Sequence, residues 1–273
     1  MRGRPVRILG EMAEILIRYN VTRGAAALSY YLTLTVFPFL VCVSAILGSL
    51  QLLESDMFLL LEDIIPTASF QAITDFLRYV SGNSSTILLV VGLIAMVTSS
   101  SAAFRSFTGI MNEIQGKSRY TGIWKGIISF IFSIVFLASI YLSALVILSG
   151  GWLMQILEEY LGFGELLALW TWFRFVILFL LLLGIIFGVY YISTPKGTRR
   201  RDGLPGAFTA SVVLVIMSII FSKMISVSLR YQILYGSLAS FVILMVWLYI
   251  CGIILIMGNV FNISLKKTGR YSK

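Results

Sequence analysis

Six stretches of this sequence, at about 25–50, 86–104, 123–149, 168–193, 206–228 and 237–263, each run for 19 residues or more with at most one charged side chain. A helix needs about 20 apolar residues to cross the hydrocarbon of a bilayer. In that solvent the backbone must satisfy its own N–H and C=O groups, which leaves helices or closed barrels. Runs this long are helical spans rather than the short alternating strands of a barrel. The expected fold is an all-α integral membrane protein, a six-transmembrane-helix bundle forming a single membrane domain over 1–273. Composition agrees, with 59% hydrophobic and 12% charged residues and a mean hydropathy of +0.95. Soluble domains carry about 25% charge.

Charge sets the expected orientation. Arg2, Arg4, Arg7, Arg18 and Arg23 precede or open the first span. Arg105, Lys117, Arg119 and Lys125 surround the second connection, Lys196, Arg199, Arg200 and Arg201 the fourth, and Lys266, Lys267, Arg270 and Lys273 the C-terminal end. These are seventeen of the 21 Lys and Arg residues. The other side is acidic, with Glu54, Asp56, Glu62, Asp63 and Asp75 in the first connection and Glu158, Glu159 and Glu165 in the third. The positive-inside rule then predicts both termini in the cytoplasm and a multi-pass protein of the cell membrane. The same rule accounts for the net charge of +9 without nucleic acid as a partner.

Two additions to the bundle are expected. Ile8, Leu9, Met12, Ile15, Leu16 and Tyr19 recur at helical spacing, with Arg7, Glu11, Glu14 and Arg18 on the other face. That pattern predicts an interfacial N-terminal helix, or a cytoplasmic extension packed against the bundle. Residues 51–85 between spans 1 and 2 are too long for a plain turn. Ser55-Asp56 and Pro66 suit two helix starts, and an external amphipathic helical hairpin is expected there.

Within the spans, Gly184-x-x-x-Gly188 and Gly122-x-x-x-Gly126 suggest close helix contacts. The run Thr98-Ser99-Ser100-Ser101 suggests interhelical hydrogen bonds or a cavity lining. Pro38 removes a helical N–H and should kink the first span or free the carbonyl near Leu34. A broken helix at mid-membrane is one way transporters build a site. Arg23, Arg105, Arg174, Lys223 and Arg230 lie in or beside the spans, and no Asp or Glu lies deep in any. Arg174 follows Trp170, Thr171, Trp172 and Phe173, which suits snorkelling at the interface. A cavity facing some of these cations would favour phosphate, a carboxylate or a lipid head group. Cys42 and Cys251 lie inside apolar runs and read as buried thiols. There is no histidine, so neither metal nor cofactor is expected.

The run Gly24-Ala25-Ala26-Ala27-Leu28-Ser29-Tyr30-Tyr31, continuing to Phe37-Pro38, resembles the opening motif of the YihY/BrkB family of bacterial inner-membrane proteins, formerly labelled ribonuclease BN-like. Leu234-Tyr235-Gly236-Ser237-Leu238-Ala239, Trp247-Leu248-Tyr249, Gly258, Pro205-Gly206-Ala207 and the stretch from Phe104 to Asn112 fit the same family in order. Members commonly carry Gly-x-Glu near the end of the last span, where this chain has Gly258-Asn259-Val260; Asn259 and Asn262 remain as polar groups there, and interhelical hydrogen bonding is expected of them. The resemblance implies a membrane protein with no established catalytic residue.

Three functions follow as expectations. The first is a transporter or lipid-translocating protein for an anionic small molecule or lipid head group. Tyr30, Tyr31, Tyr235 and the kink at Pro38 would line its cavity, with Arg23, Arg105 or Lys223 supplying the field. The second is a non-transporting envelope assembly or interaction protein. The third, a membrane ribonuclease, fits poorly. RNA hydrolysis needs acid–base groups or metals, and the only acids expected on the cytoplasmic side are Glu11, Glu14, Glu113 and Asp202, scattered over three segments. No enzyme activity is therefore expected.

Overall fold

A chain that must hydrogen-bond to itself in hydrocarbon closes each apolar run into a helix, and the computed structural model is built this way. It describes residues 4–49, 86–116, 120, 122–161, 165–195, 200–227 and 237–270. All regular structure among them is helical: α1 (Arg4–Arg18), α2 (Val21–Ser49), α3 (Thr86–Gln115), α4 (Ile123–Leu161), α5 (Glu165–Ser193), a 3-10 turn (Arg200–Gly203), α6 (Leu204–Val227) and α7 (Ser237–Arg270). Helices α2 to α7 are each long and apolar enough to cross a membrane.

The helices overrun the hydropathy boundaries. Helix α3 continues past 104 to Gln115, α4 past 149 to Leu161, and α7 past 263 to Arg270. Hydropathy marks where side chains prefer lipid, whereas helical hydrogen bonding continues until a residue breaks it. At α3 that residue is Gly116, whose φ of 65° is the left-handed conformation of a helix C-terminus. Arg105 therefore sits inside α3 and not in a connection. Phe130, Ile131, Ile134 and Val135 of α4 and Ile216, Ile219 and Ile220 of α6 are exposed over about half their surface. Such an outer surface suits only hydrocarbon. The protein is a multi-pass membrane protein.

The described residues of 1–33, 99–133 and 182–273 form one compact unit, and those of 34–98 and 134–181 a second. The core of the first joins Ile15, Val21, Ala25 and Leu28 to Phe107, Ile110 and Met111, to Ile186 and Tyr190, to Ala207 and Ala210, and to Ile256 and Val260. In the second, Met96 of α3 packs with Leu137 of α4, beside Phe39 and Tyr141.

Helix α1 packs on α7. Ile8 and Ile15 are buried, so a packed extension is part of the answer. Leu9, expected on the same stripe, is 66% exposed. Glu14 and Arg18, four residues apart on the polar face, pair at 3.8 Å, on a surface where such a pair contributes little. Asn20, at φ 47°, turns the chain from α1 into α2, and its carbonyl accepts from Arg23 N–H at 2.9 Å.

The glycine expectations are corrected. A Cβ on Gly126 or Gly184 would meet nothing within 4 Å, and one on Gly188 would make only ordinary contact with Phe132 at 3.4 Å. Gly122 is a turn residue at φ 59°, accepting from Lys125 N–H in front of α4. Spacing alone does not say which face of a helix meets a neighbour. Close backbone approaches are Gly206 of α6 against Gly258 of α7, and Gly252 against Ala25 of α2, whose carbonyl oxygen would lie 3.2 Å from a Cβ added at Gly252. Helices α6 and α7 form the most extensive pair among the described elements.

Helix α2 runs through Pro38 without interruption. One missing hydrogen bond to Leu34 does not break a helix whose remaining carbonyls have no water to turn to. Ser29 and Thr33 are buried, yet their hydroxyls bond back to Ala26 and Ser29 carbonyls at 2.8 Å each. In the serine run, Thr98 bonds its own helix, while Ser100 donates to Ser133 of α4 at 2.8 Å. The interhelical reading holds for Ser100. Arg174 lies over the Phe175 ring at 5.1 Å, as a snorkelling arginine beside aromatics can. Cys251 is a free thiol packed against the first core.

The hairpin expected at 51–85 lies outside the described residues, as do Arg230, Tyr235, Lys196, Arg199 and the side chain of Cys42.

Two hydroxyls one turn apart on α7, Ser264 Oγ and Thr268 Oγ1, are buried with no hydrogen-bond partner among the described residues. A buried hydroxyl without a partner costs desolvation and returns nothing. Ser264→Ala and Thr268→Val are therefore expected to leave thermal stability unchanged or raise it. A fall of more than about 1 kcal/mol would show that each hydroxyl has a partner in the membrane.

Candidate functional site

Phe104, Thr108 and Asn112 recur every four residues, so α3 presents them on one face. Across from them, α4 contributes Lys125, Ile128 and Ser129 from its first two turns, and α5 contributes Ile192 and Ser193 from its last. Tyr120, in the link between α3 and α4, completes a small cleft open to its surroundings. All of these residues belong to the first unit.

Among the described residues that line the cleft, Lys125 is the one that carries charge. It occupies the first turn of α4, where the helix dipole disfavours a cation. Lys125 makes no ion pair with a described carboxylate. A cation in that position has electrostatic work left for an anion to do.

The cleft is also lined by hydroxyls bound to helix carbonyls. Ser129 Oγ donates to the Lys125 carbonyl at 2.6 Å, and Thr108 Oγ1 to the Arg105 carbonyl at 3.1 Å. A helix carbonyl keeps its N–H partner when such a hydroxyl rotates away, so an arriving anion can take the proton for about 1 kcal/mol. Phe104, Ile128 and Ile192 supply a hydrocarbon wall, and Phe104 stacks on Phe132 at 4.5 Å.

The floor is tied across three helices. Asn259 of α7 donates through Nδ2 to Ser193 Oγ of α5 and Met111 Sδ of α3, each at 3.1 Å. Ser193 donates to the Tyr190 carbonyl at 3.1 Å, and the Tyr190 hydroxyl donates to the Leu255 carbonyl at 2.7 Å. Asn262 bridges α7 to the start of α6: its Oδ1 accepts from Gly206 N–H at 2.6 Å, and its Nδ2 donates to the Gly203 carbonyl at 3.1 Å. Both asparagines thus make the interhelical bonds expected of them. Val260, at the position of the Glu in the family pattern, is fully buried in the apolar core.

The residues singled out from the sequence do not gather in this cleft. Arg23 and Lys223 are exposed, and Arg105 is exposed with its Nη1 donating to Ser101 Oγ at 2.7 Å. Tyr30 is 52% exposed, edge-on to Tyr31 at 5.4 Å, while Tyr31 packs partly against the core. Pro38 belongs to the second unit. Lys125, Thr108, Asn112, Tyr120, Ser129 and Ser193 were missed. Two signals could have found them: the four-residue spacing from Phe104 to Asn112, and a lysine in the first turn of a helix against the dipole.

The family profile described as Virulence factor BrkB matches residues 14–273. The chain belongs to the BrkB family. It is 26% identical over 261 residues to a Bacillus subtilis protein named ribonuclease-like protein YfkH, covering 94% of this chain and 95% of that one. It is 25% identical over 271 residues to a UPF0761 membrane protein of Aromatoleum aromaticum, covering 96% of this chain and 65% of the relative, and 24% identical over 267 residues to one of Chromohalobacter salexigens, covering 92% and 62%. The chain thus spans nearly all of YfkH and just under two thirds of the other two. No solved structure matches. The BrkB match runs through the cleft and through both asparagines of α7.

Proposed function

We propose that this BrkB-family chain binds an anionic amphiphile by its head group in the α3–α4–α5 cleft and translocates it across the membrane. The observation that carries the reading is Lys125, a cation without a described carboxylate near it, set among polar side chains and backed by a hydrocarbon wall. A phosphate or carboxylate head would meet the ammonium and the hydroxyls, and an adjoining acyl chain would meet Phe104, Ile128 and Ile192. Seventeen of the 21 cations on one side of the topology would draw such molecules to the mouth of the cleft from the cytoplasm. No bond is made or broken in this reading, so we propose no enzyme activity.

The test is flux in reconstituted vesicles. Protein-containing vesicles should move fluorescent phosphatidylglycerol between leaflets faster than protein-free vesicles, and should favour it over fluorescent phosphatidylcholine. Lys125→Gln should weaken binding of the anionic lipid by about tenfold to a hundredfold, the value of a hydrogen bond to a charged group, while Lys223→Gln should not. Flux equal to protein-free vesicles would sink translocation. Retained binding without flux would favour the envelope-assembly reading.

A further inference from the structure

Helix α1 carries two apolar stripes, and among the described residues only one of them is packed against the rest of the protein. At 3.6 residues per turn, Ile8 and Ile15 share a face with Met12 and Tyr19, and that face packs against the bundle. Val6, Leu9, Ala13 and Ile17 fall on a different face, all exposed, with Leu9 at 66% and Ile17 at 75%. Between the two lies the charged strip of Arg7, Glu14 and Arg18, all exposed.

The place of α1 in the chain says what covers the free stripe. Helix α1 ends at Arg18, and the first membrane span begins at Val21. Two residues reach about 7 Å, so the C-terminal end of α1 is held at the boundary of the hydrocarbon. The helix is about 22 Å long at 1.5 Å per residue. Laid along that boundary, it brings its whole apolar stripe to the level where head groups meet acyl chains. Arg4, Arg7 and Arg18 against Glu11 and Glu14 leave the helix with a positive excess that suits anionic lipid. A second copy of the chain is a poorer occupant, because a stable interface needs about 800 Å2 per partner and three large aliphatic side chains offer well under that.

We infer that α1 is a membrane-surface helix, clamped between the bundle on its Ile8–Ile15 face and an anionic lipid surface on its Val6–Leu9–Ile17 face. The inference is independent of the cleft and of translocation.

The test uses the full-length protein with Cys42 and Cys251 replaced by serine, carrying an environment-sensitive fluorophore on Leu9→Cys, Ile17→Cys or Glu14→Cys. The protein is reconstituted in phosphatidylcholine vesicles containing about one quarter phosphatidylglycerol, with iodide on both sides. Quenching by spin-labelled lipid should be roughly threefold stronger at positions 9 and 17 than at 14, and quenching by iodide should run the other way, as burial in the interface requires. Equal iodide access at all three positions would overturn the inference. So would protection at 9 and 17 that appears only at high protein-to-lipid ratio with crosslinking between copies, which would make the occupant a second chain. Circular dichroism and gel filtration of each variant confirm that the substitutions at these exposed positions leave the fold intact.

Discussion

Gly206→Ala is expected to lower the thermal stability of the protein by about 10 °C or more. An alanine Cβ at this position would fall on the Gly258 carbonyl oxygen, and within 2.5 Å of Asn262 Nδ2 and 2.6 Å of its Cγ. A flexible side chain could move aside, but a helix carbonyl cannot leave its ladder without breaking it. Overpacking of this kind costs about 1–3 kcal/mol and sometimes more. Displacing Asn262 adds the loss of its bond to Gly206 N–H, about 1–3 kcal/mol for a buried donor left alone. The total of about 2–6 kcal/mol centres on about 10 °C in a chain of this size, at 2–4 °C per kcal/mol. Thermal unfolding of purified protein in detergent measures it. Gly126→Ala and Gly184→Ala serve as controls, since nothing lies within 4 Å of either Cβ. Each should be neutral or stabilising by up to about 1 kcal/mol, the helix-propensity gain over glycine. Equal effects at all three positions would show that the α6–α7 contact is looser than the structure gives it.

The second large effect is expected at Asn262. Its amide closes the start of α6 from both directions, accepting from Gly206 N–H and donating to the Gly203 carbonyl. Asn262→Ala leaves both groups without that partner, in a place where Gly206 is buried. At about 1–3 kcal/mol for each of the two orphaned groups, the variant should lose about 2–6 kcal/mol. Asn262→Asp separates the two halves. Its carboxylate keeps the acceptor, and the N-terminus of α6 favours negative charge, but the donor to Gly203 is gone and a lone pair faces a lone pair. It should recover about half of the loss. A full recovery would show that the donor half contributes nothing. Because Asn262 and Gly206 touch, the double variant should lose less than the two single losses added together.

These two effects sit at a joint that the sequence resemblance touched without explaining. Pro205-Gly206-Ala207 and Gly258 stood out as fitting the family, yet nothing in their spacing says that the two glycines face one another across α6 and α7. The Gly184 and Gly122 pairs have the better spacing and make no close contact between helices. A four-residue interval selects one face of a helix, and only packing decides whether that face meets protein or lipid. The cations show the same limit. Arg23, Arg105 and Lys223 drew attention because charge near hydrocarbon is costly, but each reaches the surface of the protein. Lys125 looked like one more basic residue of a connection, and among the described residues it is the cation that lines the cleft.

The sequence by itself determined the solvent, the number of spans and the helical class, because each depends on local quantities: the length of an apolar run and the rule that a backbone in hydrocarbon bonds to itself. It also anticipated that Asn259 and Asn262 would bond between helices, since a buried amide has few other outcomes. Tertiary structure decided which side chains share a space. It joined Phe104, Thr108 and Asn112 of α3 to Lys125 of α4 and Ser193 of α5, residues up to 89 positions apart. It also split the apolar surface of α1 into a face for the bundle and a face left open. The physical reason is that lipid and protein interior are equally apolar. Hydrophobicity places a residue in the membrane and leaves its neighbour to be chosen by shape, by close backbone approach and by the hydrogen bonds that only particular pairs of helices can complete.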